Sequence, residues 1–222
     1  MIVIEPSFEV LTPFGSLTEQ VGLQMLQFVE QMARISHRSE DKQTDDSWRR
    51  FIQAVVVEHG DWSVVEHATL TVIFRVDRGI THELVRHRLF SFTQESTRFV
   101  NYGKKDIEFI EPTYLQGRKN ALFLWKMAIQ ESERTYLDLL RDGTRPQEAR
   151  SVFPNALAAT IAVTGNLRNF RHLFLMRTSK ETHPDFRRVV DPLLQTFKQF
   201  IPLLFDDLEV GQRQIENLRK PR

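Results

Sequence analysis

The fold is decided by residues 69–76, which read Thr69-Leu70-Thr71-Val72-Ile73-Phe74-Arg75-Val76. β-Branched and aromatic residues fill most of this stretch, and such residues favour extended strands. We therefore predict a strand that is buried on both faces, or nearly so. Gly79 interrupts the pattern, and residues 80–85 then predict a short helix. The strand and the helix together determine the position of the segment that follows them.

That following segment, residues 86–99, is rich in hydrogen-bond donors. It offers three guanidinium groups, one imidazole, four hydroxyls and one amide, but only one carboxylate. The planar fork of arginine donates in pairs to phosphate or carboxylate oxygens, and hydroxyls complete the remaining contacts. The segment contains no glycine, which excludes a glycine-rich phosphate loop. The sequence therefore predicts an anion site that is built from side chains.

This segment also has two other interpretations. Basic segments are most often solvated faces or loose contacts with polyanions such as nucleic acids. Here Leu89, Phe90, Phe92 and Phe99 are interspersed among the polar residues, which favours a shaped and partly buried pocket. The chain carries 30 Lys and Arg against 29 Asp and Glu, so it has no global positive field. We expect neither a nucleic acid nor a membrane as a partner.

Composition excludes several classes of protein. With 222 residues and 41% hydrophobic content, the chain can bury a sizeable core. It contains no cysteine, which excludes disulfides, thiolate metal sites and a cysteine nucleophile. Its first residues lack the basic and apolar regions of a signal peptide, and no later run approaches about 18 apolar residues. We therefore expect a cytoplasmic protein.

Hydrophobic periodicity predicts both strands and helices along the rest of the chain. Alternation predicts short strands within residues 1–11, and β-rich runs predict further strands at 107–110 and 156–163. Apolar residues at helical spacing predict a long helix over about 118–141. Because no regular β-α-β repetition is present, we predict an α+β fold with a largely antiparallel sheet flanked by long helices.

The limits of several elements are also predicted. Ser16 precedes Glu19 by three residues, which is capping-box spacing, so the first helix is predicted to be capped at Ser16. Pro184 is predicted to begin the last long helix. We expect a single domain over residues 1–222, with a charged tail over about 211–222.

Residues Arg86, His87, Arg88, Ser91, Ser96 and Arg98 stand in an order that resembles the hallmark motif of the flavin-dependent thymidylate synthases. The resemblance covers roughly residues 60–187. It implies reductive methylation of dUMP to dTMP, with 5,10-methylenetetrahydrofolate as carbon donor and NADPH as reductant through FAD. A chain without cysteine is consistent with that chemistry, because reduction must come from a cofactor. The resemblance also implies a homotetramer with sites between subunits.

The resemblance implies which residues hold each ligand. The implied FAD contacts are Ser63, Arg86, His87, Arg88, Gln94, Asn166, Leu167, Arg168 and His172. The implied dUMP contacts are Glu83, Leu84, Val85, Arg86, Gln94, Glu95, Ser96, Thr97, Arg98, Arg150 and Arg177. Two of these positions vary in the family, since His172 stands where some members have asparagine and Glu83 where some have glutamine. In isolation, Arg150 is better explained as a solvated cation near a helix end.

Two residues are expected to act on the substrate. Arg177 resembles the arginine at the uracil edge, where a fixed cation favours the N3-deprotonated base. Ser96 is interpreted as a hydrogen-bond donor to the nucleotide rather than a nucleophile, because no activating base is evident. No metal is expected, since His59, Glu66 and His67 lack the spacing of a helical zinc motif. A non-catalytic nucleotide-binding regulator of the same fold remains an alternative.

Overall fold

The computed structural model describes residues 1–13 and 15–211. Its strands, numbered in chain order, are β1 (Ile2–Ile4), β2 (Ser7–Thr12), β3 (Gly15–Ser16), β4 (Thr69–Asp77), β5 (Ser91–Gln94), β6 (Glu108–Ile110) and β7 (Ala158–Asn166). Its α-helices are α1 (Glu19–Ile35), α2 (Ser47–Ile52), α3 (Arg78–Leu84), α4 (Lys119–Arg141), α5 (Pro146–Ala149), α6 (Leu167–Arg177) and α7 (Pro184–Phe200). The predicted charged tail lies, from residue 212 onward, outside the described residues.

The strands form two sheets. One has five strands in the order β3-β2-β4-β7-β5, and the other pairs β1 with β6. The five-stranded sheet is antiparallel, and its β2–β3 hairpin places Leu11 opposite Ser16. β1 and β6 run parallel, with Val3 opposite Phe109. The predicted α+β class, with a largely antiparallel sheet flanked by helices, is confirmed.

The strand predicted over residues 69–76 is β4, which lies between β2 and β7. Leu70, Val72 and Phe74 are fully buried, whereas the residues that alternate with them are only partly buried. One face of β4 is therefore fully buried, as predicted, and the other is only partly buried. The second face carries Arg75, and a guanidinium group needs polar partners when it is withdrawn from water.

The start of α1 also differs from the prediction. Ser16 pairs with Leu11 in the β2–β3 hairpin, so its backbone belongs to a strand and it does not cap the helix. Thr18 is the N-cap instead, and its hydroxyl oxygen accepts a hydrogen bond from the Val21 N–H at 3.3 Å. At the other end of the chain, α7 begins at Pro184, as predicted.

The described residues group into two compact units. The first unit contains Met1–Ser7, Phe74–His87 and Phe92–Ala162, and the second contains Phe8–Ile73, Arg88–Ser91 and the chain from Val163 onward. The prediction of a single domain over residues 1–222 stays a prediction.

The core of the first unit lies against α4. Its buried cluster includes Phe109, Ile129 and Tyr136, and Tyr136 stacks on Phe153 with ring centroids 4.3 Å apart. Helix α4 runs for 23 residues, close to the predicted range, and its exposed face carries ion pairs such as the one between Arg134 and Glu131. Within residues 1–13 and 15–211, no helix is both long and apolar enough to cross a membrane.

The second unit has an aromatic core where α6 meets α7. Phe174 and Phe205 both contact Phe197, with ring centroids 5.1 Å apart in each pair. Helix α1 crosses α7 so closely that a Cβ on Gly22 would lie 1.8 Å from the backbone oxygen of Phe200. Only glycine permits this approach. The packing fixes α6, whose first turn carries predicted cofactor residues.

Candidate functional site

Helix α3 connects β4 to the motif segment, residues 86–99. Asp77 ends β4 and caps the helix, because its Oδ1 accepts a hydrogen bond from the Ile80 N–H at 3.0 Å. The helix ends at Leu84, and the chain then turns, with the His87 N–H bonded to the carbonyl oxygen of Leu84 at 3.0 Å. The predicted short helix is therefore confirmed, but it begins at Arg78, so Gly79 lies inside the helix and does not separate it from the strand.

The motif segment is divided between the two units. Residues 86–87 and 92–99 belong to the first unit, and Arg88–Ser91 belongs to the second. The predicted dUMP residues lie in the first unit, with the exception of Arg177. The predicted FAD residues lie in the second unit, with the exceptions of Arg86, His87 and Gln94.

In the first unit, the segment after β5 contacts the region around α5. Arg150 Nη1 donates to Thr97 Oγ1 at 3.1 Å, across 53 positions of sequence. Arg98 Nε donates to Gln147 Oε1 at 3.2 Å, and its backbone N–H donates to Ser96 Oγ at 3.3 Å. Thr97 is buried, whereas Arg98 and Arg150 are exposed. The structure thus brings together two separate segments that the resemblance assigns to dUMP.

The end of α3 is joined to β5 in the same unit. Gln94, the last residue of β5, donates from Nε2 to the hydroxyl of Thr81 at 3.0 Å. Thr81 is fully buried and lies two positions before Glu83 in α3. Leu84 is 1% exposed, so its side chain cannot touch a ligand, whereas Val85 is exposed. The predicted residues 83–86 therefore adjoin the strand that leads to Glu95.

Glu95 is engaged by the protein itself. Its Oε2 accepts hydrogen bonds from Arg75 Nη1 at 2.6 Å and from the Thr160 N–H at 3.1 Å. Its Oε1 accepts a hydrogen bond from the Tyr102 hydroxyl at 2.6 Å. Arg75 also donates through Nη2 to Glu108. The carboxylate predicted to contact dUMP is thus one member of an internal polar network.

The network fixes the charge of its members. Burial would raise the pKa of Glu95, but hydrogen bonds from Tyr102, the Thr160 N–H and Arg75 hold that pKa below its ordinary value. Burial, together with the hydrogen bond to Glu95, raises the pKa of the Tyr102 phenol. Near pH 7 the carboxylate is therefore ionised and the phenol neutral.

Sequence reasoning missed both Arg75 and Tyr102 as site residues. Arg75 lies 20 positions from Glu95 and 33 from Glu108, and no local pattern links residues so far apart. One signal was present, because Arg75 is a charged residue between Phe74 and Val76 in the middle of a β-branched and aromatic run. A partly buried cation of this kind requires a carboxylate or another acceptor nearby.

In the second unit, the loop that bears Ser63 lies against the start of α6. The Leu167 N–H donates to the carbonyl oxygen of Ala68 at 3.0 Å, and Arg168 forms an ion pair with Glu66. Ser63 is exposed and lies in the short helical turn Trp62–His67. Because Leu167 is 1% exposed, a ligand could reach only its backbone. Two of the predicted FAD segments are thus adjacent.

The segment Arg88–Ser91, which contains the predicted FAD residue Arg88, is held on the same helix. Asn169 Nδ2 donates to the carbonyl oxygen of Leu89 at 2.9 Å. The Phe90 ring packs edge-on against Phe170, with centroids 4.8 Å apart. Phe90 is buried, whereas the residues on either side of it are exposed. A buried aromatic ring therefore holds the backbone while the neighbouring guanidinium group stays accessible.

The remaining predicted residues of α6 occupy three different positions along it. Asn166 caps the helix, since its Oδ1 accepts a hydrogen bond from the Asn169 N–H at 2.9 Å. His172 lies in the middle of the helix and is exposed. Arg177 is the last residue of the helix, and its guanidinium carbon lies 5.4 Å from the ring centroid of Phe186.

The loop that begins at His59 carries His59, Glu66 and His67, which lack the spacing of a helical zinc motif. His59 Nδ1 lies 3.6 Å from Asp61 Oδ2, and both side chains are largely exposed. In the part of the chain that the structure describes, no group of three or more His, Cys, Asp or Glu residues could hold a metal ion. The contacts of this loop run instead to α6, through Glu66 and Ala68.

The chain matches the family model of the thymidylate synthase complementing protein over residues 22–203. The flavin-dependent thymidylate synthase of Corynebacterium efficiens is 37% identical to it over 169 residues, which cover 70% of this chain and 68% of that protein. The enzyme of the same name from Mycobacteroides abscessus is 34% identical over 184 residues, which cover 76% of this chain and 71% of that protein.

A solved structure is also similar in fold. The UMP/dUMP methylase PolB from Streptomyces cacaoi, solved bound with 5-Br dUMP, superposes with a TM-score of 0.73 over 93% of this chain and 96% of that chain. At 21% identity, this likeness concerns the fold alone. The family model and the curated relatives carry the assignment further: this chain belongs to the flavin-dependent thymidylate synthase family.

Proposed function

We propose that the chain converts dUMP to dTMP by reductive methylation, with 5,10-methylenetetrahydrofolate as the carbon donor and NADPH as the reductant through FAD. The chain has no cysteine, so it cannot begin by adding a thiolate to the uracil ring. Reducing equivalents must then reach the substrate through a bound cofactor. The shared name of the curated relatives supports the same reaction.

The observation that carries this proposal is the contact between Arg150 and Thr97. Two segments 53 positions apart, each similar to a dUMP-binding segment of the family, meet at a distance of 3.1 Å between Nη1 and Oγ1. Arg98 lies beside Thr97 in sequence, and both arginines are exposed. Guanidinium groups beside hydroxyls suit a phosphate monoester. We assign the phosphate of dUMP to this cluster.

The proposed dUMP site extends from the end of α3 to the segment after β5. Ser96 is proposed as a hydrogen-bond donor to the nucleotide, and Leu84 contributes through its backbone because its side chain is buried. The complete proposed set is Glu83, Leu84, Val85, Arg86, Gln94, Ser96, Thr97, Arg98, Arg150 and Arg177. Glu95, which the resemblance also assigns to dUMP, is left out because its carboxylate is held within the polar network.

The donors of the second unit fit a ligand that carries a diphosphate. Ser63, Arg88, Arg168 and His172 are all exposed and offer a hydroxyl, two cations and an imidazole. The start of α6 adds the positive end of a helix dipole, whereas the N–H groups of Leu167 and Asn169 already donate within the protein. We propose that these groups bind FAD, together with Arg86, His87, Gln94, Asn166 and Leu167. When bound, FAD supplies the hydride chemistry that the side chains lack.

Arg177 is the residue that we propose acts on the pyrimidine base. A fixed guanidinium group at the uracil edge stabilises the N3-deprotonated, activated base through charge pairing. Arg177 lies over the ring of Phe186, which is fully buried in α7. This contact restricts the orientation of the guanidinium group.

We also propose that the chain works as a cytoplasmic homotetramer with sites between subunits. FAD and dUMP together require more polar partners than one sheet edge presents. In such a tetramer, the residues of one site can come from more than one subunit. Light scattering of the FAD-loaded protein measures this directly, and a monomer would contradict the proposal.

The test of the proposed function uses the purified full chain. We expect a yellow protein whose flavin absorbance is bleached by NADPH without oxygen, and faster with dUMP than without it. An Arg150→Ala variant should keep its colour but lose the acceleration by dUMP, because the phosphate contact is lost. A colourless protein that FAD cannot reconstitute would overturn the proposal. Binding of dUMP without reduction of FAD by NADPH would indicate the non-catalytic regulator instead.

A further inference from the structure

The two ends of the loop formed by residues 96–101 are joined through side chains. The Tyr102 hydroxyl donates to Glu95 Oε1 at 2.6 Å, across seven positions of sequence. The loop between them contains Ser96, Thr97 and Arg98, which belong to the proposed dUMP site. We call this hydrogen-bonded pair the Glu95–Tyr102 clasp. A bond that closes so short a loop limits the conformations open to it.

The Glu95 side of the clasp is fixed to the sheet. Its carboxylate accepts hydrogen bonds from Arg75 Nη1 on β4 and from the Thr160 N–H on β7. Its own backbone N–H donates to the Thr160 carbonyl oxygen at 2.8 Å. The side chain of Glu95 is 19% exposed. If this anion turned outward, it would lose these bonds and would repel a phosphate bound at Arg98 and Arg150.

The Tyr102 side of the clasp is fixed to the core of the first unit. Tyr102 is 4% exposed, and its ring packs edge-on against Phe153 with centroids 5.4 Å apart. Its backbone N–H donates to the Tyr136 hydroxyl at 3.2 Å. The phenol is therefore a rigid donor, and its hydroxyl fixes the position of the Glu95 carboxylate that accepts from it. Both ends of the loop are determined by buried structure.

We propose that Glu95, Tyr102 and Arg75 are positioning residues that hold residues 96–101 in the conformation that binds dUMP. Glu95 acts through the loop and does not itself touch the nucleotide. The inference rests on the proposed function, because it assigns a role to residues that flank the proposed dUMP site. It gives Glu95 a task different from that of Ser96 and Arg98, which are proposed to contact the ligand.

Arg75 offers a matched pair of variants. It binds two carboxylates, Glu95 and Glu108, whose side chains are 19% and 29% exposed. Glu95→Gln and Glu108→Gln each remove one negative charge and leave Arg75 with the other carboxylate. Only Glu95 is joined to the loop. Comparing the two variants separates the effect of the loop from a general weakening of the network.

In the FAD-loaded enzyme, Glu95→Gln is expected to raise the KM for dUMP about tenfold, because charge-assisted hydrogen bonds to the loop are weakened. Tyr102→Phe, which keeps the ring in the core, is expected to act in the same direction. In both variants kcat and FAD content should stay near the parental values, and Glu108→Gln should keep the parental KM. Amide hydrogen exchange of residues 96–101 should be faster in Glu95→Gln and Tyr102→Phe than in Glu108→Gln.

Several results would overturn the proposed role of the clasp. One is an equal rise of the KM for dUMP in Glu95→Gln and Glu108→Gln. Another is a Glu95→Gln enzyme that melts at a lower temperature but keeps the parental KM. If the parent itself neither binds nor converts dUMP, the proposed function fails. Hydrogen exchange then still tests whether the clasp restricts residues 96–101, because equal exchange of these residues in all three variants would overturn that role.

Discussion

In the second unit, the motif residues Arg88–Ser91 are held by the buried ring of Phe90, whereas in the first unit the residues after β5 are held by the carboxylate of Glu95. Each anchor leaves an arginine of the motif exposed, Arg88 in one unit and Arg98 in the other. The ring packs against an aromatic core, and the carboxylate joins a polar network. The comparison teaches that residues that hold the backbone alternate along the motif with residues proposed to bind ligands.

The two anchors should respond differently to mutation and to pH. Apolar packing depends on shape and on removal of surface from water, and it contains no titrating group. The network around Glu95 depends on a charge and is lost when the carboxylate is protonated. The following predictions separate the two kinds of anchor.

The largest effect is expected from Phe90→Ala. Loss of a buried aromatic side chain should lower the free energy of unfolding by about 3 to 5 kcal/mol and should lower FAD content, because Arg88–Ser91 is no longer held. Phe99→Ala is the matched control, since Phe90 is 8% exposed and Phe99 is 80% exposed. Urea denaturation and flavin absorbance measure both effects. Equal losses in the two variants would contradict the role given to Phe90.

Gly165→Ala should have a smaller effect on the same anchor. A Cβ on Gly165 would lie 2.4 Å from Cδ1 of Phe90, and the ring is confined by Phe170. We expect a loss of about 1 to 3 kcal/mol in the free energy of unfolding, because overpacking moves the ring and the backbone that carries it. Gly143→Ala, at a position with no atom within 4 Å of the added Cβ, tests instead the cost of a positive φ. FAD content should fall only in Gly165→Ala.

The charged anchor predicts a dependence on acid. The pKa of Glu95 is lowered in the folded protein, so its stabilising contribution is complete above the unfolded pKa of about 4.3 and is lost as the pH falls through the folded value. Between about pH 6 and pH 3 the parent should lose about 1 kcal/mol more stability than Glu95→Gln does. Urea denaturation at the two pH values measures the difference. Identical losses in parent and variant would contradict the role of the charge.

The smallest effect is expected from Glu66→Gln. Glu66 pairs with Arg168 at the surface of the second unit, with side chains 44% and 52% exposed. Exposed pairs of this kind contribute less than about 1 kcal/mol, so the melting temperature should hardly change. FAD should bind at least as tightly, because Arg168 no longer has a competing carboxylate. Flavin titration measures this, and clearly weaker binding would contradict the proposed role of Arg168.

Local patterns in the sequence were sufficient to predict much of the fold. The strand β4, the short helix α3, the long helix α4 and the start of α7 at Pro184 all follow from periodicity or from a proline signal. The start of α3 was misplaced, because Gly79 lies inside the helix. The cap of α1 was misplaced because Ser16 pairs with Leu11 in a hairpin. Pairing between strands overrode the local capping signal.

The candidate site was predictable only in part, and for a physical reason. The order of residues in the motif indicated which side chains to propose as ligand contacts. Two of them, Thr97 and Arg150, are in contact in the structure. The polar network was missed because its hydrogen bonds join β4, β6 and β7. These strands are far apart in sequence, and a local sequence pattern does not predict contacts between distant segments. The charge of Arg75 between the apolar residues Phe74 and Val76 was the local indication that such a network was needed.

The most direct test of the account is formation of product. The FAD-loaded chain is incubated without oxygen with dUMP, 5,10-methylenetetrahydrofolate and NADPH, and nucleotides are separated by chromatography. We predict that dTMP forms, that omission of any one of the three substrates abolishes it, and that Arg150→Ala forms it only at higher dUMP concentration. Absence of dTMP from a protein that is yellow and binds dUMP would contradict the account.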